Sequence, residues 1–341
     1  MRDLFESNTR AIVASAAFAA DDVINIEGNR HKFSPRANRF CVVADGFPPI
    51  VGQLAQAIYD RFYVQPDLGR GPYRHVPDRL LEASFVEEVG SVVKHTSSWQ
   101  QGWSLVGTAP LQPDHILVRN GAGAEAVVAR GDFDDERGRR GPATSSTMQR
   151  GYFHVFGEHD RSLSGDETVR IYFNPSREGA LPLTALITSG CDDVGIGYHY
   201  KILDNPQSFG RADGAVLYIA ASDVPAVAAP LRFAYDRAGH WLKNAVPRFT
   251  KPLAPGVGFA ADPGTGESFG MHRGRLVAEG LWAAHTARVA PEDIDSVLPH
   301  VAAAFERNGV SADRPYLNRS HGPEVELAVI NAHRALEEAV A

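Results

Sequence analysis

Four short segments set cations beside hydrogen-bonding groups, and these are where the chain could do chemistry. They are Arg170-Ile171-Tyr172-Phe173-Asn174, then Tyr198-His199-Tyr200-Lys201 running on through Asn205-Pro206 to Arg211-Ala212-Asp213, then Arg248-Phe249-Thr250-Lys251-Pro252, then Ser268-Phe269-Gly270-Met271-His272-Arg273. Taken as strands, the first two alternate. Arg170, Tyr172 and Asn174 share one face with Ile171 and Phe173 on the other, and His199 shares a face with Lys201 opposite Tyr198, Tyr200 and Ile202. A lysine between aromatic residues is partly desolvated, and nearby arginines further disfavour its charged form, so Lys201 has the setting of a proton-abstracting base. Each residue also has a plain structural role open to it. Lys201 could be a strand lysine with a solvated head, Arg211 an ion-pair partner of Asp213, and Tyr172 a half-buried aromatic. Lys251 could be a loop residue, and His272 and Arg273 could belong to a solvated first helical turn.

Other chemistries lack their motifs. Gly121-Ala122-Gly123-Ala124-Glu125-Ala126 fits a loose dinucleotide loop, but Val127-Val128-Ala129 returns to strand texture and leaves no room for the phosphate-binding helix. Asn120-Gly121 after Ile116-Leu117-Val118-Arg119 instead reads as a tight hairpin. Pro263-Gly264-Thr265-Gly266-Glu267-Ser268 lacks the Gly-Lys-Ser/Thr ending of a phosphate loop. His154 and His159 stand without HExxH or cysteine-histidine spacing, and no GxSxG elbow occurs, so neither a metal nor a cofactor is expected.

The elements that must position these groups read as α+β, a mixed or antiparallel sheet flanked by helices. Strands are expected at Tyr152 to Phe156, Val169 to Phe173, Ile196 to Leu203, Ala215 to Ala220 and Val257 to Ala260. Helices are expected at Pro225 to Asn244, Phe269 to Ala287, Pro291 to Asn308 and Gly322 to Val340, with no regular βαβ beat. Residues 1–100 read as a mainly helical N-terminal region, with an alanine-rich amphipathic stretch from Thr9 to Ala20, helices from Pro48 to Val64 and from about Pro77 to Val93, and a strand candidate at Phe40 to Ala44. Residues 101–341 form the second unit, in which the polar, Gly-rich stretch 131–150 reads as a long exposed loop.

The 341 residues carry a net charge of −7, which offers no footprint for nucleic acid. No run approaches the roughly 20 apolar residues of a membrane helix and the start is too charged for a signal peptide, so a cytoplasmic location without membrane contact is expected. Cys41 and Cys191 read as free core thiols.

The ordered segments R-x-Y-x-N, Y-K-I-L-x-N-P, R-x-D-x-x-V-L-Y, F-T-K-P-L, G-V-G-x-A-x-D-P and E-S-F-G-x-H-R, spanning about residues 150 to 330, resemble the HopA-type type III effector family. Relatives in lanthipeptide class V and thioamitide gene clusters act as the lyase partner of a peptide kinase. More distantly, Tyr200-Lys201-Ile202 followed by Arg211 and Leu217-Tyr218 is similar to the lysine strand and phosphate-binding arginine of phosphothreonine lyases of the OspF and SpvC type. Arg170-x-Tyr172 stands where those enzymes have Lys-x-His, so the acid position here is a tyrosine.

The resemblance implies a carbon-oxygen lyase that eliminates phosphate from phosphoserine or phosphothreonine in a ribosomal precursor peptide, leaving dehydroalanine or dehydrobutyrine. It implies Lys201 as base and Tyr172, His199 or His272 as acid. Arg170, Arg211 and Arg273, with Lys251 and Asn174, would hold the phosphate, because arginine forks meet two phosphate oxygens at once. The implied partners are the phosphorylated precursor and a peptide kinase. The alternative is a non-catalytic effector-like protein or a phosphopeptide-binding module.

Overall fold

The computed structural model describes residues 2–34, 46–64, 80–109, 112–158, 168–318 and 321–340. The chain begins with helix α1 (Arg2–Val13) and a three-stranded meander of β1 (Ala16–Ala20), β2 (Val23–Ile26) and β3 (Asn29–Lys32). Helices α2 (Pro49–Ile58) and α3 (Ala83–Ser91) follow, α2 running into a π turn at Tyr59–Tyr63. Two small three-stranded sheets come next. Strands β4 (Ser97–Gln100), β8 (Phe133–Asp134) and β9 (Gly138–Pro142) form one, and β5 (Trp103–Thr108), β6 (His115–Asn120) and β7 (Glu125–Ala129) form the other.

The rest builds the main sheet and its helices. The order is β10 (Thr144–Ser145), β11 (Tyr152–Phe156), β12 (Thr168–Phe173), α4 (Ala180–Asp193), β13 (Tyr198–Leu203), β14 (Ala215–Ala220), α5 (Val224–Ala238), β15 (Lys251–Ala254), β16 (Val257–Ala261), α6 (Phe269–Thr286), α7 (Ile294–Arg307) and α8 (Pro323–Val340). Seven strands pair in the spatial order β10-β11-β13-β14-β12-β16-β15, every pair antiparallel. The fold is thus α+β.

Burial decides which way the sheet faces. Tyr200, Ile202, Leu217, Ile219, Ile171 and Phe259 all point to one side, are at most 0% exposed, and pack toward α4, α5 and α8. Each such side chain stabilises the fold by roughly 1.5–3 kcal/mol when buried, an upper estimate for a compact unfolded chain. The opposite side is covered at the β12–β16 end by α2, its π turn and α6, through a triangle of rings formed by Tyr63, Tyr172 and Phe269. Helix α6 starts where Ser268 Oγ accepts the Met271 amide, 3.2 Å away.

The sequence reading needs correction in three places. The N-terminal region carries strands besides its helices, since α1 stops at Val13 and Ala16–Ala20 is a strand: alternate residues are buried and pair with Val23–Ile26, so tertiary pairing overrides the helix preference of alanine. The 131–150 stretch is not one long loop, because β8 and β9 pair with each other and β9 with β4, and Arg137, Arg139 and Arg140 lie over the Trp99 and Trp103 rings. Helix α4 was not anticipated. Its sequence ALPLTALITSGCDD is apolar almost all round, so no helical stripe stands out. The Phe40 to Ala44 candidate and Cys41 lie outside the described residues; Cys191 is a buried free thiol.

Two glycines are set by contact. A Cβ on Gly258 would lie 2.7 Å from Thr250 Oγ1, so the Phe249-Thr250 turn, with Phe249 buried at φ 66°, closes only over glycine. A Cβ on Gly280 would lie 2.4 Å from Val301 Cα, where α6 and α7 meet backbone to backbone. Gly280→Ala is expected to lose about 1–3 kcal/mol of stability in urea unfolding. Gly121→Ala, with nothing within 4 Å of the added carbon, should change it by less than about 0.5 kcal/mol.

Candidate active site

Antiparallel register brings distant segments into one row. His154 sits opposite Lys201, Phe156 opposite His199, His199 opposite Tyr218, and Tyr218 opposite Arg170, so all point to the same side of β11, β13, β14 and β12. The Lys201 ammonium lies 4.3 Å from the centre of the Tyr152 ring and 5.7 Å from that of Tyr218, and donates to Gln149 Oε1 at 3.1 Å. Among the described residues no carboxylate lies within ion-pair distance of it. The amine is held by π faces and one neutral acceptor.

The His199 ring lies between Phe156 and Tyr218, with centroids 4.9 and 5.0 Å away and planes 17° off parallel to each. Its Nε2 is 2.7 Å from His154 Nδ1. Burial, then the neighbouring Lys201 charge, pushes His154 down to about 4. His199 is pushed down to about 3 by burial, then by His154, Lys201 and Arg170. Tyr172 is pushed up to about 12 by burial against the opposing effect of Arg170, and its ring meets that of Tyr63 edge-on. The Tyr172 phenol stays protonated here, and the His154 and His199 imidazoles stay neutral.

The arginines do not form a common clamp. Arg170 lies 5.2 Å from the Tyr218 ring centre, but its Nε donates to Asp262 at 2.9 Å and its Nη2 bonds the same carboxylate. The Arg211 fork is taken by Asp213, at 2.8 and 2.9 Å, and by the Tyr59 hydroxyl at 2.9 Å. Tyr152 also donates to Asp213, 3.2 Å away. Burial alone would raise the Asp213 pKa, but Arg211 outweighs it and holds the carboxyl below its usual range.

Arg273 is fully buried and donates to the carbonyls of Pro315 and Leu317 and to Asn318 Oδ1, so it ties α6 to the 315–318 segment. It also donates to His272 Nδ1 at 2.6 Å, and burial followed by the Arg273 charge pushes His272 down to about 2. Asn174 donates to the Ala245 carbonyl and takes part in loop packing. Lys251 pairs with Phe259, so it points to the other face, at the far edge of the sheet. Of the residues singled out from sequence, the structure therefore brings together Lys201, His199, Arg170 and Tyr172. It sets Arg211 beside them as the partner of Asp213, and keeps Arg273, His272, Asn174 and Lys251 out of the open row.

The sequence model of the HopA1 effector protein family matches residues 143–317, just over half of the chain. The chain belongs to the HopA1 effector protein family. Two solved effector proteins are similar to it in structure. One, from Pseudomonas syringae pv. tomato strain DC3000, has 17% identity and a TM-score of 0.43 over 78% of this chain and 99% of that one. The other, from Pseudomonas syringae pv. syringae strain 61, has 12% identity and a TM-score of 0.44 over 76% and 87%. No curated protein matches the chain in sequence. The row of this HopA1-family chain lies wholly inside the matched segment.

Sequence reasoning passed over Gln149, Tyr152, His154 and Tyr218 as members of the site. Tyr218 was visible at the end of R-x-D-x-x-V-L-Y, but only pairing places it between His199 and Arg170. Tyr152 and His154 alternate on a strand in the same way as His199 and Lys201, so only the identity of their neighbour was missing.

Three neutral histidines give a pH signature. His154, His199 and His272 have folded values below the ordinary 6.5, so below about pH 6.5 the unfolded chain binds protons that the folded one does not. Their contribution is full above pH 6.5 and falls on acidification, by at most about 1.4 kcal/mol per pH unit for each. His95, raised by Asp192 and then, against burial, by the Phe156 carbonyl, acts in the opposite sense. Urea midpoints are expected to fall from pH 7.5 to 5.5, and His272→Gln should flatten that fall. A midpoint that rises on acidification would contradict the neutral assignment.

Proposed function

We propose that the chain is a phosphoserine or phosphothreonine lyase acting on a phosphorylated peptide. The supporting observation is the Lys201 amine, held over Tyr152 without a carboxylate among the described residues, in one row with His199, Tyr218 and Arg170. β-Elimination needs a base for the α-proton, a group to hold the phosphate and a donor for the departing oxygen. Lys201, as the free amine, takes the α-proton. The C–H electron pair becomes the Cα=Cβ bond as the Cβ–O bond breaks, and the phosphate leaves with a proton from a phenol. Tyr152 is the nearer phenol but gives its hydroxyl to Asp213, so the task falls to Tyr218, which lies between His199 and Arg170, or to Tyr172, two residues along β12 from Arg170. General-acid help of this kind is worth roughly 10² to 10⁴ in rate.

Arg170 supplies positive charge at the end of the row through the part of its guanidinium that Asp262 leaves unbonded. The substrate is a segment of a ribosomal precursor, phosphorylated beforehand by a peptide kinase, and the product carries dehydroalanine or dehydrobutyrine.

The test is mass spectrometry of phosphoserine and phosphothreonine peptides incubated with the wild type, Lys201→Ala and Tyr218→Phe, with precursor leader and kinase supplied. The expected outcome is loss of one phosphoric acid by the wild type and none by Lys201→Ala. Tyr218→Phe should lower kcat by about 10²-fold with a smaller change in KM. Phosphopeptides retained by the wild type with unchanged mass would replace this reading with that of a binding module.

A further inference from the structure

His154 is only 2% exposed, and its two ring nitrogens have different surroundings. Nδ1 is 2.7 Å from His199 Nε2, whereas Nε2 is sealed from solvent and has no hydrogen-bond partner. His199 is half-buried, and its Nδ1 is not among the sealed unpartnered atoms, so it faces the accessible side of the row. The charged and titratable groups around the pair are Lys201 on β13, Arg170 on β12 and Tyr218 on β14, with Tyr152 two residues along β11 from His154. Ser145 of β10 lies opposite His154.

The hydrogen atoms follow from this geometry. One proton occupies the bridge between the two rings. If His199 owned it, neutral His154 would carry its remaining hydrogen on Nε2, an N–H buried with no acceptor. If His154 owns it, the sealed Nε2 is a bare lone pair. An orphaned buried N–H is the rarer and costlier of the two, so the bridge proton sits on His154 Nδ1. Neutral His199 must then carry its own hydrogen on Nδ1, toward the open side. Protonating the pair would require a hydrogen on His154 Nε2, the one nitrogen still free and the one without a partner.

We propose that His154 is a positioning residue that locks His199 as a neutral Nδ1–H donor for a substrate phosphate oxygen, so that His199 holds the phosphate and does not act as a general acid. This rests on the reading of the Lys201 row as a phosphate-ester site. It gives His199 a role that an imidazolium could not fill without charging the sealed edge of its partner, and it leaves the acid's task to a phenol.

The tautomers can be read without turnover, by long-range proton–nitrogen NMR of the full chain labelled at its histidine nitrogens, with His154→Phe and His199→Gln assigning the two signals. Both rings are expected to show a protonated δ1 and a bare ε2 nitrogen and to stay neutral from about pH 8 to pH 5.5. In His154→Phe, with other histidine signals unmoved, His199 should populate both tautomers. Inorganic phosphate should shift the His199 δ1 signal in the wild type.

A wild-type His199 protonated on ε2, or one that becomes charged near pH 6, would overturn the lock. An unmoved δ1 signal at saturating phosphate would overturn the donor role. A locked tautomer in a protein that leaves phosphopeptides unchanged would sink the lyase reading alone, and elimination by a protein without the lock would sink this inference alone.

Discussion

The site depends above all on the antiparallel register of β13, β14 and β12. His199 opposite Tyr218, and Tyr218 opposite Arg170, are consequences of which residues pair, and a slip of one residue would exchange the two faces of a strand. The register is fixed from the other side. Tyr200, Leu217 and Ile171 lie in line on the opposite face and are fully buried. A slip would put Lys201 and Arg170 among apolar side chains and expose those residues to water. The site is therefore positioned by a hydrophobic surface that takes no part in its chemistry.

A polar row at such burial has to be satisfied locally. Asp262 meets Arg170 and Asp213 meets Arg211, while Tyr152 and Tyr59 complete the second pair. Removing one member would leave a buried charge, which costs far more than a surface ion pair contributes. Arg273 is a different case, a buried cation held by carbonyls and a side-chain amide, with the Phe269 ring 4.6 Å away. Lys201 differs from all three in having π faces and a glutamine around it in place of a carboxylate or a set of carbonyls.

That difference connects structure to the proposed function. A lysine neutralised by an aspartate would be a structural element, and one in open water would be an ordinary surface cation. Lys201 is screened from solvent and, among the described residues, is not tied to a carboxylate, so its amine can turn to a substrate. Beside it, the neutral imidazole pair and the Tyr172 phenol offer hydrogen bonds without adding charge.

Much of the C-terminal half was legible in the sequence. Alternation along Arg170 to Asn174 and along Tyr198 to Ile202 gave the strands and the polar face of each, because side chains on a strand alternate whatever surrounds them. The ordered motifs pointed to the family for a similar reason, each being a local requirement such as the glycine beneath Thr250. What sequence left undecided was pairing. Asp213, two residues away, already offered itself to Arg211, but Arg170 and Arg273 look alike as residues, and only tertiary contacts show the first at the end of the row and the second sealed between α6 and the 315–318 segment. Lys251 was grouped with the phosphate-holding residues by its motif, and only its pairing with Phe259 shows that it faces the other side. Residue types and their spacing determine which faces a strand can offer. Which strands lie side by side, and hence which groups share a site, is decided by long-range burial that no local pattern encodes.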